Sequence, residues 1–183
     1  MMVGAILTQN TAWANVKKAL TNLQNNGLEG PRVIHKMSYS ELAARIRPAG
    51  YFNQKAKKLK YLAAWVMEEL GGDIDEMQKL STPVLREKLL SLWGVGEETA
   101  DSILLYAARR PVFVVDAYTH RVFFRHGFIK EGIGYHTVQQ LFMDNLPQRV
   151  KLFNEYHALI VRVGKECCRK VAHCDPCPLR VFL

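Results

Sequence analysis

Leu92-Trp93-Gly94-Val95-Gly96-Glu97-Glu98-Thr99-Ala100 places two glycines, one residue apart, between two segments patterned as helices. Upstream, Thr82-Pro83 is a cap-then-first-turn signal, and Leu85, Leu89 and Leu90 carry the helical repeat on to Trp93. Downstream, Ala100, Ile103, Leu104 and Ala107 share one face, while Glu97, Glu98 and Asp101 lie near the positive end of the second helix dipole. A turn of this kind exposes backbone N–H groups at the start of the second helix, and these can hold a phosphate without reading base sequence. Taken alone, a Gly-x-Gly turn serves equally well to reverse a chain.

Outward from this hairpin the pattern stays helical. An apolar stripe begins at Met1, with no capping residue before it, and continues through Val16, Leu20 and Leu23 to about Gln24, where Asn25-Asn26-Gly27 ends it. One long early helix is predicted, and its uncapped opening reads as if sequence upstream were missing. Leu42, Ala43 and Ile46 mark a short helix closed by Pro48 and Gly50. The next spans 53–70, with Ala56, Leu59, Leu62, Ala63 and Val66 on one face and Gly71-Gly72 as its stop. Helices are also predicted over 116–125, 136–145 and 150–165. The run 112–115 is the only strand-like stretch, too short for a sheet. The fold class is therefore all-α, without repeats or low-complexity linkers.

Composition narrows the partner. With 183 residues and 49% hydrophobic content the chain can bury a sizeable core, which argues against disorder. The 25 Lys and Arg against 17 Asp and Glu leave a formal charge of +8, which suits a polyanion. No apolar run reaches membrane-spanning length and no signal-type segment opens the chain, so an intracellular, cytoplasmic protein is expected, as a monomer and without a membrane partner. All four cysteines, Cys167, Cys168, Cys174 and Cys177, crowd into the last stretch. That clustering points to a local metal site or to no site at all, rather than to a disulfide framework.

Leu-x-Gly-Val-Gly-x-x-Thr-Ala followed by Val114-Val115-Asp116 resembles the helix-hairpin-helix and catalytic aspartate of the endonuclease III superfamily of DNA glycosylases. Leu7-Thr8-Gln9-Asn10-Thr11 and Arg47-Pro48-Ala49-Gly50-Tyr51-Phe52-Asn53-Gln54-Lys55-Ala56-Lys57 look like the branch that contains the 3-methyladenine glycosylase MagIII. The resemblance implies two helical domains with damaged double-stranded DNA held across the cleft between them: a helical-barrel domain over 1–111 and a second helical domain over 112–183. It further implies that Leu92, Gly94, Val95, Gly96 and Thr99 grip the DNA backbone, that Gln9 fills the gap left in the duplex, and that Trp13 lines the base pocket. On the residues alone, Gln9 reads as well as a buried amide bonded to backbone, and Trp13 as well as core.

Asp116 follows three apolar residues and precedes a helix, so its local reading is an N-cap. The resemblance adds a second role. A glycosidic bond breaks through an oxocarbenium-like sugar, and a nearby carboxylate can stabilise that cation or activate water. Glu98 departs from the family pattern: strand-cleaving members carry lysine here, whose amine forms a Schiff base with the sugar. This chain has no lysine between Lys88 and Lys130. The expected activity is therefore water-mediated removal of a damaged, alkylated base, with no cofactor needed for the chemistry. The alternatives are a strand-cleaving glycosylase for oxidised pyrimidines and a non-catalytic hairpin module that only binds DNA.

Two further features are weighed against blander readings. Lys55, Lys57, Lys58 and Lys60 form a basic run on the 53–70 helix, read as a solvated face that could also meet phosphate. Cys167, Cys174 and Cys177 match the spacing of three of the four ligands of the 4Fe-4S loop found in many endonuclease III relatives. The fourth ligand would fall at Leu183.

Overall fold

The computed structural model describes residues 1–28 and 30–182. Its regular structure is helical, and among the described residues no strand forms beyond an isolated bridge between Cys168 and Ala172. The chain divides into two compact units, Met1–Ala108 and Arg109–Leu183.

The first unit holds α1 (Met2–Leu7), α2 (Trp13–Gln24), α3 (Pro31–Lys36), α4 (Tyr39–Arg45), α5 (Phe52–Glu69), α6 (Thr82–Leu90) and α7 (Glu97–Tyr106). Single 3-10 turns cover Arg47–Ala49 and Ile74–Lys79. α5 is the hub, packing against α1, α3 and α4 through Ala56, Leu59, Leu62, Ala63 and Val66, the face its periodicity predicted. Two short elements left no readable pattern: α3, opened by Pro31 after Gly30, and the turn over Ile74–Lys79. Six residues hold too few repeats for a 3.6-residue period to show. α6 is capped one residue earlier than predicted, with Ser81 extended at the N-cap and Thr82 already helical.

The expected single early helix is instead two. To continue past Leu7, the amide of Thr11 would have to donate to the Leu7 carbonyl. That carbonyl instead accepts from Lys55 Nζ at 2.8 Å, while Thr11 N donates to Thr8 O at 3.1 Å and Asn10 turns to φ +51°. The periodicity survives the break because both helices bury the same stripe: Ile6, Leu7, Val16, Ala19 and Leu23 are each 1% exposed or less.

Lys55 corrects the reading of the basic run. It is 1% exposed, and its ammonium donates to Leu7 O, Ala49 O at 2.9 Å and Thr11 Oγ1 at 2.6 Å, a three-oxygen cage with no carboxylate in it. Burial, and secondarily the charge of Lys58, pull its pKa down from 10.5 to about 8. The folded protein thus releases this proton before the unfolded chain does, and the Lys55 contribution to stability rises with pH between about 8 and 10.5. Lys55→Met strips Leu7 O of its donor, at about 1–3 kcal/mol, while Ala49 O keeps the Thr11 hydroxyl. We expect a clearly lowered Tm for the variant, and a weaker gain in Tm across that pH window than the native chain shows, both by thermal denaturation.

The second unit holds α8 (Ala117–Arg125), α9 (Tyr135–Asn145) and α10 (Val150–Glu166). Its core is aromatic: Phe113 stacks on Phe142 with centroids 3.8 Å apart and meets Phe153 edge-on at 5.4 Å. The strand-like run 112–115 is extended and largely buried but pairs with no other strand. Gln139 Nε2 donates to Phe113 O at 2.7 Å, meeting by side chain a need that a sheet would meet by backbone. α8 and α10 dock closely because Gly164 has no side chain. A Cβ there would lie 2.8 Å from Tyr118 Cβ.

Candidate active site

In the first unit the hairpin joins α6 to α7. Gly94 sits at φ +79°, a left-handed conformation that L side chains rarely adopt, while Gly96 is extended at φ −98° and caps α7. Val95 between them is 6% exposed and anchors the turn, its amide donating to Leu92 O at 3.0 Å. Gly96 has no side chain with which to occupy the first-turn amides of α7, which leaves that end of the dipole facing outward. Glu97 stands 3.8 Å from Arg86, which offsets one of the two acidic charges in that turn.

The two hairpin helices are pinned by an ion pair hidden from the sequence. Asp101 is fully buried, and Arg86 reaches it through Nε at 2.7 Å and Nη2 at 3.1 Å, a bidentate fork between α6 and α7. Asp101 was expected to act through the helix dipole. Its 0% exposure makes it a structural clamp instead.

Gln9 lies on this hairpin. Its Nε2 donates to Thr99 Oγ1 at 2.8 Å and to Gly94 O at 3.3 Å, and its Oε1 accepts from Lys58 Nζ. The structure thus brings Gln9, Gly94 and Thr99 together with Lys58, a residue the sequence reading placed only in a charged run. Lys58 also covers Gly94 so closely that a Cβ there would stand 2.6 Å from its Cε. The rest of the run is likewise engaged. Lys57 Nζ sits 4.3 Å above the Trp93 ring, and Lys60 donates to Ile34 O, His35 O and Met37 O at the end of α3. Trp13, the first residue of α2, is 48% exposed, so it is not core.

In the second unit Asp116 caps α8. Its Oδ1 accepts from Thr119 N at 2.7 Å and Thr119 Oγ1 at 2.9 Å, and the Thr119 hydroxyl accepts in return from Asp116 N at 3.4 Å, a reciprocal capping box. The N-cap reading is correct, and the other oxygen is left for other work. His157 Nε2 stands 3.5 Å from Oδ2, with 13% of the imidazole and 12% of the carboxylate side chain exposed. Burial pushes the Asp116 carboxyl up, but the hydrogen bond and charge of His157 and the amide and hydroxyl of Thr119 outweigh it, so its pKa is held below the usual value. Asp116 is a largely but not fully buried anion at neutral pH.

Sequence reasoning missed His157, which lies 41 residues beyond Asp116. A usable signal exists: Phe153, Ile160 and Gly164 form the buried face of α10, and His157 falls on the same stripe, a polar residue where apolar ones are the rule.

Glu98 is exposed in the first turn of α7. The four cysteines line one recess together with His173. Cys167 and Cys168 are buried, Cys177 is partly so and Cys174 is exposed, and no three ligand-type side chains among the described residues converge on a common point. Burial and the neighbouring Cys177 raise the Cys167 pKa. The expected fourth position, Leu183, lies outside the described residues. No described helix is long and apolar enough to cross a membrane.

Comparison with known proteins places this geometry. Residues 3–148 match the family model described as HhH-GPD superfamily base excision DNA repair protein. A protein of Methanocaldococcus jannaschii, whose name assigns it provisionally as a DNA repair glycosylase, is 48% identical over 184 residues, covering 100% of this chain and 83% of its own. Endonuclease III of Sulfolobus acidocaldarius is 29% identical over 182 residues, covering 99% and 79% respectively. Among solved structures, the H. pylori 3-methyladenine DNA glycosylase MagIII bound to 1,N6-ethenoadenine superposes with a TM-score of 0.77 at 30% identity, over 90% of this chain and 83% of that one. The hairpin with its two glycines, the extended run that leads into Asp116 and these matches agree: the chain belongs to the HhH-GPD superfamily of base-excision DNA repair proteins.

Proposed function

We propose that this protein is a monofunctional DNA N-glycosylase that removes alkylated purines from double-stranded DNA by hydrolysis. Two observations carry the reading: in the second unit a largely buried, ionised Asp116, and in the first an exposed Glu98 where strand-cleaving relatives hold their lysine. A purine alkylated at N3 or N7 is already cationic, so it leaves with the glycosidic electron pair as a neutral base and needs no protonation first. The sugar is left as an oxocarbenium cation, which the Asp116 carboxylate stabilises. Water then adds at C1′ and gives up a proton, with the carboxylate as its acceptor.

Other residues support the same reading. The amides beyond Gly96 hold a phosphate, and Trp13, exposed at the start of α2, offers a face on which a cationic base stacks. One solved relative is named as a 3-methyladenine DNA glycosylase, which favours an alkylated purine over an oxidised pyrimidine. Lys55, the lysine with a pKa near 8, is sealed in its oxygen cage and offers no amine to a sugar. The protein acts as a monomer, and its chemistry calls on no metal.

A panel of duplexes carrying 7-methylguanine, 3-methyladenine, 1,N6-ethenoadenine or an oxidised pyrimidine tests this. Release of methylated purine is expected, with the strand intact until alkali is added and no adduct trapped by borohydride. Prompt nicking or a trapped adduct would establish the strand-cleaving alternative. Failure to release any base, with duplex binding retained, would leave a hairpin module that only binds.

A further inference from the structure

We propose that His157 is a positioning residue for Asp116: it holds carboxylate Oδ2 from α10 while Thr119 holds Oδ1 from α8, and together they fix the anion in one orientation. The inference rests on the reading of Asp116 as the acting carboxylate.

The geometry begins with the docking of α8 on α10. Gly164 lets Tyr118 lie directly against the α10 backbone, and Arg121 donates to Gly164 O at 2.9 Å and to Cys168 O at 2.6 Å, closing the end of α10. Arg125 donates to Arg169 O at 2.6 Å and Lys170 O at 2.8 Å, extending the same clamp. His157 precedes Gly164 by seven residues, two helical turns, and so shares its face. Tyr118 follows Asp116 by two. The clamp at one end of this helix pair therefore sets the spacing at the other, where Nε2 and Oδ2 stand 3.5 Å apart.

A carboxylate with both oxygens assigned loses little freedom when substrate arrives, and orientation of this kind is what a cation-stabilising group needs. Thr119 alone cannot supply it. Both Thr119 bonds go to Oδ1, so without His157 the second oxygen is unconstrained by the cap. The groups that act on Asp116 are the Thr119 amide and hydroxyl on α8 and the His157 imidazole on α10. From α9, the Tyr135 hydroxyl meets the chain one residue earlier, accepting from Val115 N at 3.4 Å. His157 is the one among them that lowers the Asp116 pKa by a coulombic as well as a hydrogen-bonding interaction. Its removal raises the Asp116 pKa, so the acid limb of the rate–pH profile must move to higher pH.

The test compares His157→Ala and His157→Gln with the native chain in single-turnover excision from a 7-methylguanine duplex, with duplex affinity measured in parallel. His157→Ala should lower the saturating rate roughly tenfold and shift the acid limb upward, with affinity unchanged. His157→Gln keeps an N–H donor at the Nε2 position and should recover most of the rate, with a smaller upward shift. A limb at its native pH in both variants, or a glutamine no better than alanine, overturns the proposal. If His157→Ala does not fold, the position of the His157→Gln limb decides: upward supports, unmoved overturns. Asp116→Asn run alongside separates the two ideas, because an active Asp116→Asn protein removes the functional reading itself, whereas an inert one beside native-like His157 variants removes only this inference.

Discussion

Asp116→Asn should cut base release at least about a hundredfold while leaving duplex affinity and stability near native. The substitution is chosen to separate two jobs that one side chain performs. As an N-cap, Asp116 accepts from Thr119 N and Thr119 Oγ1 through Oδ1, and asparagine keeps an oxygen for both bonds. Asparagine and aspartate cap helices about equally well, so Tm should hold. As an anion, Asp116 is irreplaceable by an amide, which has no charge to set against an oxocarbenium ion. Asp116→Ala would confound the two by removing the cap as well, at about 1 kcal/mol. Single-turnover kinetics on a 7-methylguanine duplex, read beside a thermal melt and a binding isotherm, check the prediction. A variant that excises at the native rate would take Asp116 out of the mechanism.

Gly96→Val should weaken duplex binding by about tenfold or more at unchanged Tm, whereas Gly94→Val should lose both. The two glycines stand one residue apart but differ in what surrounds them. At Gly96 the backbone is extended and a Cβ would meet nothing within 4 Å, so the folded protein has room for a side chain there. The space it fills is the one a phosphate must enter to reach the α7 amides. At Gly94, φ of +79° strains any L side chain by about 1 kcal/mol, and the Cβ overlaps the Lys58 stem, whose ammonium holds Gln9. Displacing Lys58 removes the donor to Gln9 Oε1 and leaves Gln9 held through Nε2 alone, so the damage spreads from the hairpin to the residue expected to fill the duplex gap. Thermal melts and isotherms at two salt concentrations distinguish these outcomes. Native affinity in Gly96→Val would mean that the hairpin reverses the chain and grips nothing.

Much of this protein was legible along the chain. The all-α class, the 53–70 helix, the hairpin and the cap at Asp116 follow from spacing within a dozen residues, and the structure agrees with each. The basic run was misread at Lys55 because charge pattern does not say where a lysine points. Lys55 turns inward to a cage whose oxygens come from Leu7, Thr11 and Ala49, while its neighbours Lys57, Lys58 and Lys60 go to Trp93, Gln9 and the end of α3. The early helix was misread for the same cause, since the group that donates to the Leu7 carbonyl sits 48 residues away.

The sequence by itself determined which segments become helices, where the chain turns at two glycines, and that an acidic residue opens α8. These depend on local periodicity, backbone freedom and capping, which neighbouring residues settle among themselves. Only the tertiary structure decided that Asp101 is buried against Arg86, that Lys58 and Thr99 share Gln9, and that His157 faces Asp116. Each of these joins helices whose docking is fixed by side-chain shape and by distant glycines such as Gly164. A one-dimensional pattern carries the faces of the helices, but not which polar group on one face meets which on another.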